Sequence, residues 1–205
     1  MSYSDFKNIE DVKQKFHLTV TSTNSLFQTI QPIEYSHIFQ EILQENVPLA
    51  LNINTEKARS ELIISPLLVE LRKLMQRQIS LFSGIDFSID ETLGLTGYCD
   101  FILSQSPNQI FLEQPIVCLV EAKNETIKVG YAQCIAEMVA AKLFNERQAI
   151  KTSYIIGVVT TGSNWKFLKY QENTVFIDFD EYLISQADKI LGILLETITN
   201  SKPLC

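Results

Sequence analysis

Asp100 sits inside the apolar run GYCDFIL (97–103), and Glu121 and Lys123 close a second one, PIVCLVEAKNE (115–125). A charged group buried without a partner costs several kcal/mol, so runs of this kind normally exclude them. Three exceptions on neighbouring segments point to a shared task. Side chains alternate along a strand, which puts Glu121 and Lys123 on one face and Ala122 on the other. If the two runs pair as an antiparallel hairpin closed through QSPNQ, Asp100 falls roughly across from Glu121. Two carboxylates that close repel unless a cation lies between them. With the backbone carbonyl of Ala122 they form a set of hard oxygen donors, suited to Mg²⁺ or Mn²⁺ and not to zinc. A metal held there lowers the pKa of a coordinated water, while Lys123 orients that water or stabilises charge growing on a phosphate. The chemistry within reach of these parts is phosphodiester hydrolysis.

The elements that must position them follow from periodicity. Phe6, Ile9, Val12 and Phe16, then Tyr35, Ile38, Phe39, Ile42 and Leu43, recur at helical spacing, and Asn46 and Pro48 are expected to close this section. A longer helix is expected from about Thr55 to Gln78, kinked or restarted at Pro66, with Glu61 near its beginning. From Ile79 the pattern turns to strands: SLFSGIDFSID, the turn ETLGLTG, then GYCDFILS and QPIVCLVEAK, a three-strand meander. VGYAQCIAEMVAAKLFNER, rich in alanine, reads as a helix. SYIIGVVTTG reads as a fully buried strand, NWKFLKY and NTVFIDF as an edge hairpin, and DEYLISQADKILGILLETIT as a closing amphipathic helix. The expected class is α/β (α+β), with a mixed sheet flanked by helices.

The 205 residues are 46% hydrophobic and 20% charged, the profile of one soluble globular domain. No apolar stretch approaches the roughly 20 residues of a membrane span, and MSYSDFKNIEDVKQKF lacks the layout of a secretory signal, so the expected location is the cytoplasm, away from membranes. Cys99, Cys118, Cys134 and Cys205 form no CxxC pair, and only His17 and His37 are present, which argues against a zinc site and against a histidine base. The net charge of −7 speaks against a nucleic-acid binder relying on a general basic surface, though not against a local basic groove.

The D…ExK pattern of Asp100, Glu121 and Lys123 within the order αβββαβ resembles the PD-(D/E)XK nuclease superfamily, the restriction-endonuclease-like fold, over about Glu56 to Gly162. The EAKNE stretch is similar to the nuclease domain of type I restriction subunits and to stand-alone relatives. The resemblance implies a nuclease-like core over 55–162, accessory N-terminal helices over 1–54, and a C-terminal hairpin and helix over 163–205. It implies that Asp100 and Glu121 bind Mg²⁺ or Mn²⁺, that Lys123 assists the water, and that DNA is the substrate. Glu61 matches a helix glutamate that often joins such sites, and Gln133 matches a glutamine that some subfamilies add. Cys99 stands where the family's name has proline, and no DNA-binding domain accompanies the core.

Plainer roles compete. Glu61 also complements a helix dipole, and Gln133 and Glu137, one turn apart, also form a simple polar stripe. Lys151, Lys166, Lys169, Arg72, Lys73 and Arg77 line a phosphate groove or a solvated exterior, and Trp165 reads as packing. Besides a metal-dependent nuclease, the sequence admits a catalytically inactive module that binds nucleic acid or protein. A third reading is a subunit that forms a homodimer through its N-terminal helices.

Overall fold

Both faces of a mixed sheet are covered by helices in this protein, whose computed structural model describes residues 2–201. The helices are α1 (Ile9–Phe16), α2 (His37–Ile53), α3 (Glu56–Arg59), α4 (Ser65–Leu74), α5 (Tyr131–Glu146) and α6 (Ala187–Asn200). The strands are β1 (Thr19–Thr23), β2 (Ser80–Asp86), β3 (Tyr98–Ser104), β4 (Ile116–Ala122), β5 (Ile155–Thr160), β6 (Asn164–Gln171), β7 (Thr174–Asp178) and β8 (Tyr182–Leu183). They run in the order β1-β7-β6-β5-β4-β3-β2, with β8 paired to β6. β2, β3 and β4 form the expected antiparallel meander, α5 crosses over, and β5 returns parallel to β4.

Covering both faces explains the unbroken apolar runs, since a strand with no solvent side has no polar alternation. All seven positions of β4 are buried. On one face Phe101, Leu103, Val120 and Ala122 pack with Leu67, Leu71, Leu191 and Leu194 of α4 and α6. On the other, Ile102, Leu119 and Val159 pack with Ile135, Met138 and Ala136 of α5. Asp100 and Glu121 alternate in step with Ile102 and Leu119, which turns them toward α5. The thiols of Cys99, Cys118 and Cys134 are free and buried, and Cys205 lies outside the described residues.

Several boundaries differ from expectation. The N-terminal region holds a strand: β1 runs parallel to β7 from Thr19↔Thr174 to Thr23↔Asp178, so the β6–β7 hairpin is not at the sheet edge. Its sequence, TVTST, is β-branched but mostly exposed, and carries no apolar alternation to announce it. Helix α2 continues through Pro48 to Ile53 and stops at left-handed Asn54. Pro48 is exposed, so the Gln44 carbonyl it leaves without a helical donor faces the solvent side.

The long helix expected from Thr55 to Gln78 is α3, a π-helical turn at Ser60–Ile64, and α4, ending at Leu74. Pro66 lacks the N–H that would meet the Leu62 carbonyl, and Asn46 Nδ2 donates to that carbonyl instead, at 3.0 Å. The closing helix starts at Ala187, because Tyr182 and Leu183 are taken by β8 and Ile184–Gln186 by a 3₁₀ turn.

Candidate active site

The register that pairs Phe101 with Val120 brings Asp100 beside the last residues of β4. Asp100 Oδ2 accepts the Ala122 backbone N–H at 2.7 Å, which fixes the carboxylate at the strand end. The Lys123 N–H donates to Thr160 O at 2.8 Å, so β4 stays tied to β5 past its last ladder pair. The Lys123 side chain therefore emerges from a held backbone, on the same side as Glu121.

Four side chains then connect in sequence. The Lys123 amine donates to Glu121 Oε1 and, at 3.4 Å, to Gln133 Oε1. Gln133 Nε2 donates to Glu137 Oε1 at 3.2 Å. Gln133 opens α5 and Glu137 lies one turn on, so a single helix supplies both. Gly130 permits the approach: a Cβ there would stand 2.5 Å from Val159 Cγ1 and 3.2 Å from Lys123 Cγ.

Glu121 is 1% exposed and Glu137 is fully buried. Burial, and then the Asp100 charge, push the Glu121 carboxyl up to about 7, against the opposing pull of Lys123. Burial, and then the Glu121 charge, hold Glu137 well above the usual carboxylate range. Oε2 of each lacks an ordinary donor. A protonated Glu137 supplies one, because its carboxyl hydrogen-bonds to Glu121. Burial also raises Asp100, while the Ala122 N–H and Lys123 pull it back. Burial lowers the proton affinity of Lys123, but the charges of Glu121, Glu56 and Asp100 outweigh it and leave the amine firmly cationic.

The structure thus gathers Asp100, Glu121, Lys123 and Gln133, four of the five side chains singled out from the sequence. Ala122 contributes its N–H to Asp100 and turns its methyl into the opposite core. Glu61 is not brought in. It is exposed in the π-helical turn and pairs with Lys57 at 3.4 Å. Glu56, at the start of α3, is the helix carboxylate whose charge acts on Lys123. Glu137 is the second residue whose part was not evident: a charged type inside AQCIAEMVAA is the same kind of exception as Asp100 in its strand.

Of the other cations, Lys169 lies 4.6 Å over the Tyr154 ring and Arg72 donates to Ile79 O, so neither belongs to a groove at the cluster. Trp165 is buried and donates Nε1–H to Gly162 O at 2.9 Å, a packing role.

Among the described residues no group of three or more His, Cys, Asp and Glu is gathered as a ready metal site. The donors that are present, from Asp100, Glu121 and Gln133, are all oxygens, and Glu121 Oε2 is a buried oxygen whose only donor is a neighbouring acid. That set fits a hard divalent cation better than any softer metal. No helix among the described residues is long and apolar enough to cross a membrane. No family model matches the chain, and no curated protein is significantly similar to it.

Proposed function

We propose that the protein is a divalent-metal-dependent nuclease of the PD-(D/E)XK type, acting on DNA through a restriction-endonuclease-like core. The observation that carries this reading is the convergence of Asp100, Glu121, Lys123 and Gln133 on one face at the end of the β3–β4 hairpin. The order of a helix, an antiparallel meander, a crossover helix and a parallel strand supports the same fold.

Asp100 and Glu121 would hold Mg²⁺ or Mn²⁺. When bound, that ion supplies Lewis-acid stabilisation of the phosphate and a more acidic water. Lys123 stays cationic and, fixed by Gln133, offers its N–H donors to the attacking water or to the phosphate oxygens. Glu137, neutral, keeps a third negative charge out of the cluster while holding the orientation of Gln133 and Glu121. Metal-dependent cleavage of DNA is expected from the wild-type protein and is lost in Asp100→Asn and Lys123→Ala proteins of normal fold. Full activity in both variants removes the proposal.

One observation favours a second reading, a non-catalytic binding module. Lys123 already pairs with Glu121 Oε1 and a backbone N–H already engages Asp100 Oδ2, so part of the ligand set is in use without a metal. Mn²⁺ calorimetry separates the two: saturable binding that depends on Asp100 supports the nuclease, and its absence supports the module.

A further inference from the structure

A second feature lies just beyond Lys123, where the C-terminal ends of the parallel strands β4 and β5 open into a cleft of about 670 Å³. Arg59, Asn124 and Lys166 are half-buried in it, and Glu125, Lys128 and Glu181 stand exposed around it. Arg59 is held from three sides by neutral oxygens. Its Nη1 donates to Thr161 O at 2.9 Å and to Ser163 Oγ at 3.4 Å, and its Nη2 donates to Asn54 Oδ1 at 2.9 Å. Its Nε is buried with no partner. No carboxylate among the described residues pairs with it. A guanidinium lining a cleft, clamped in one orientation and with no carboxylate to compensate its charge, is an anion receptor already organised.

The neighbours strengthen the point. Lys166 Nζ donates to the carbonyls of Asp178 and Phe179 and has no carboxylate partner either. Lys128, on the 3₁₀ turn that leads into α5, is exposed and has no carboxylate partner among the described residues. Glu181 accepts from Asn164 and keeps its charge at the rim, without forming an ion pair with Arg59, Lys128 or Lys166 among the described residues. Gly162, at φ +80°, supplies the left-handed backbone of the turn whose Thr161 O and Ser163 Oγ meet Arg59. The chain thus spends a glycine turn and three oxygen acceptors on fixing one cation beside the catalytic cluster.

We propose that this cleft binds a phosphate group, and specifically the phosphate at a strand end. Arg59, Lys128 and Lys166 all line it, whereas the exposed carboxylates Glu125 and Glu181 oppose a polyanion running across the rim. A single dianionic monoester reaches the Arg59 floor without laying further phosphates over those acids. The nucleic-acid part of this inference rests on the nuclease reading, but the anion site itself does not. Under that reading, the protein holds a terminal phosphate in the cleft and presents a nearby diester to Lys123, which makes it end-directed.

The test measures binding without cleavage. Short single strands with a dye at one end, and either a phosphate or a hydroxyl at the other, are titrated in EDTA and followed by anisotropy, in both polarities. One polarity of phosphorylated end is expected to bind about tenfold tighter than its hydroxyl counterpart, the scale of one charge-assisted contact. The preference disappears in Arg59→Gln and shrinks in Lys128→Gln, whose exposed site leaves folding intact. It persists in Asp100→Asn. Inorganic phosphate that competes in an Arg59-dependent way also supports the site, and identifies free phosphate as the ligand if strand ends prove indistinguishable. The proposal is overturned if wild-type protein distinguishes neither end and ignores inorganic phosphate, or if both variants keep the full preference. A preference without any metal-dependent cleavage removes the nuclease reading and leaves the anion site standing.

Discussion

Replacing Glu121 with glutamine tests the electrostatics of the cluster directly. The carboxyl's proton affinity rises from the ordinary 4.5 to about 7 on folding, because the group is buried and faces the Asp100 charge. The folded protein therefore holds this proton more tightly than the unfolded chain does. The stabilisation is fully present below pH 4.5 and is lost as pH rises to 7, where both states release the proton. The interval of 7 − 4.5 at about 1.4 kcal/mol per pH unit gives about 3 kcal/mol. Urea unfolding in metal-free buffer, run from pH 4.5 to 8 on wild type and Glu121→Gln, reads this as a difference between two curves. The substitution also removes the partner of Lys123, an amine cationic throughout the window, and relieves Glu137 of the Glu121 charge, so the pair of curves is repeated in a Glu137→Gln background. Wild type is expected to lose about 3 kcal/mol relative to the variant across the interval. Parallel curves would show that Glu121 ionises as an ordinary carboxylate, and the account of a strained acidic cluster would be abandoned.

Three further outcomes are expected. Asn145 donates to Ile116 O and accepts from Ile116 N, both at 2.8 Å and both buried. Asn145→Ala orphans those two backbone groups at the start of β4 and costs about 2–4 kcal/mol in chemical unfolding. Gly130→Ala places a methyl against Val159 and the Lys123 stem. It costs about 1–3 kcal/mol, and any cleavage activity falls more than the stability loss predicts, because the lysine moves. Glu61→Gln, at an exposed ion pair, changes stability by less than about 0.5 kcal/mol and leaves cleavage intact. A collapse of cleavage in that variant would return Glu61 to the site.

The parts of this structure legible in the sequence are those governed by short-range pattern. GYCDFIL and PIVCLVEAK announce adjacent strands, and two-residue spacing alone puts Glu121 and Lys123 on one face. The alanine-rich helix that follows carries Gln133 to them as its position suggests. What escaped depends on distant partners or on local irregularity. TVTST becomes β1 only because β7 offers an edge 155 residues later (Thr174 less Thr19). Where Glu61 points turns on how a helix interrupted by Pro66 faces the sheet, and the π-helical turn that holds it lies outside any 3.6-residue pattern. Glu137 reads as one half of a polar stripe until the third dimension supplies Glu121 as its neighbour and full burial as its medium.

The pairing of β1 with β7 also constrains how this chain can be made and cut. Ribosomal synthesis delivers Thr19–Thr23 long before its acceptor strand exists, so the sheet cannot be sealed until β7 has emerged. Removing the leading 54 residues would do more than shed helices: it would replace the polar edge strand TVTST by the more apolar edge TVFID of β7. Shortened forms are thus expected to clump more readily than the full chain.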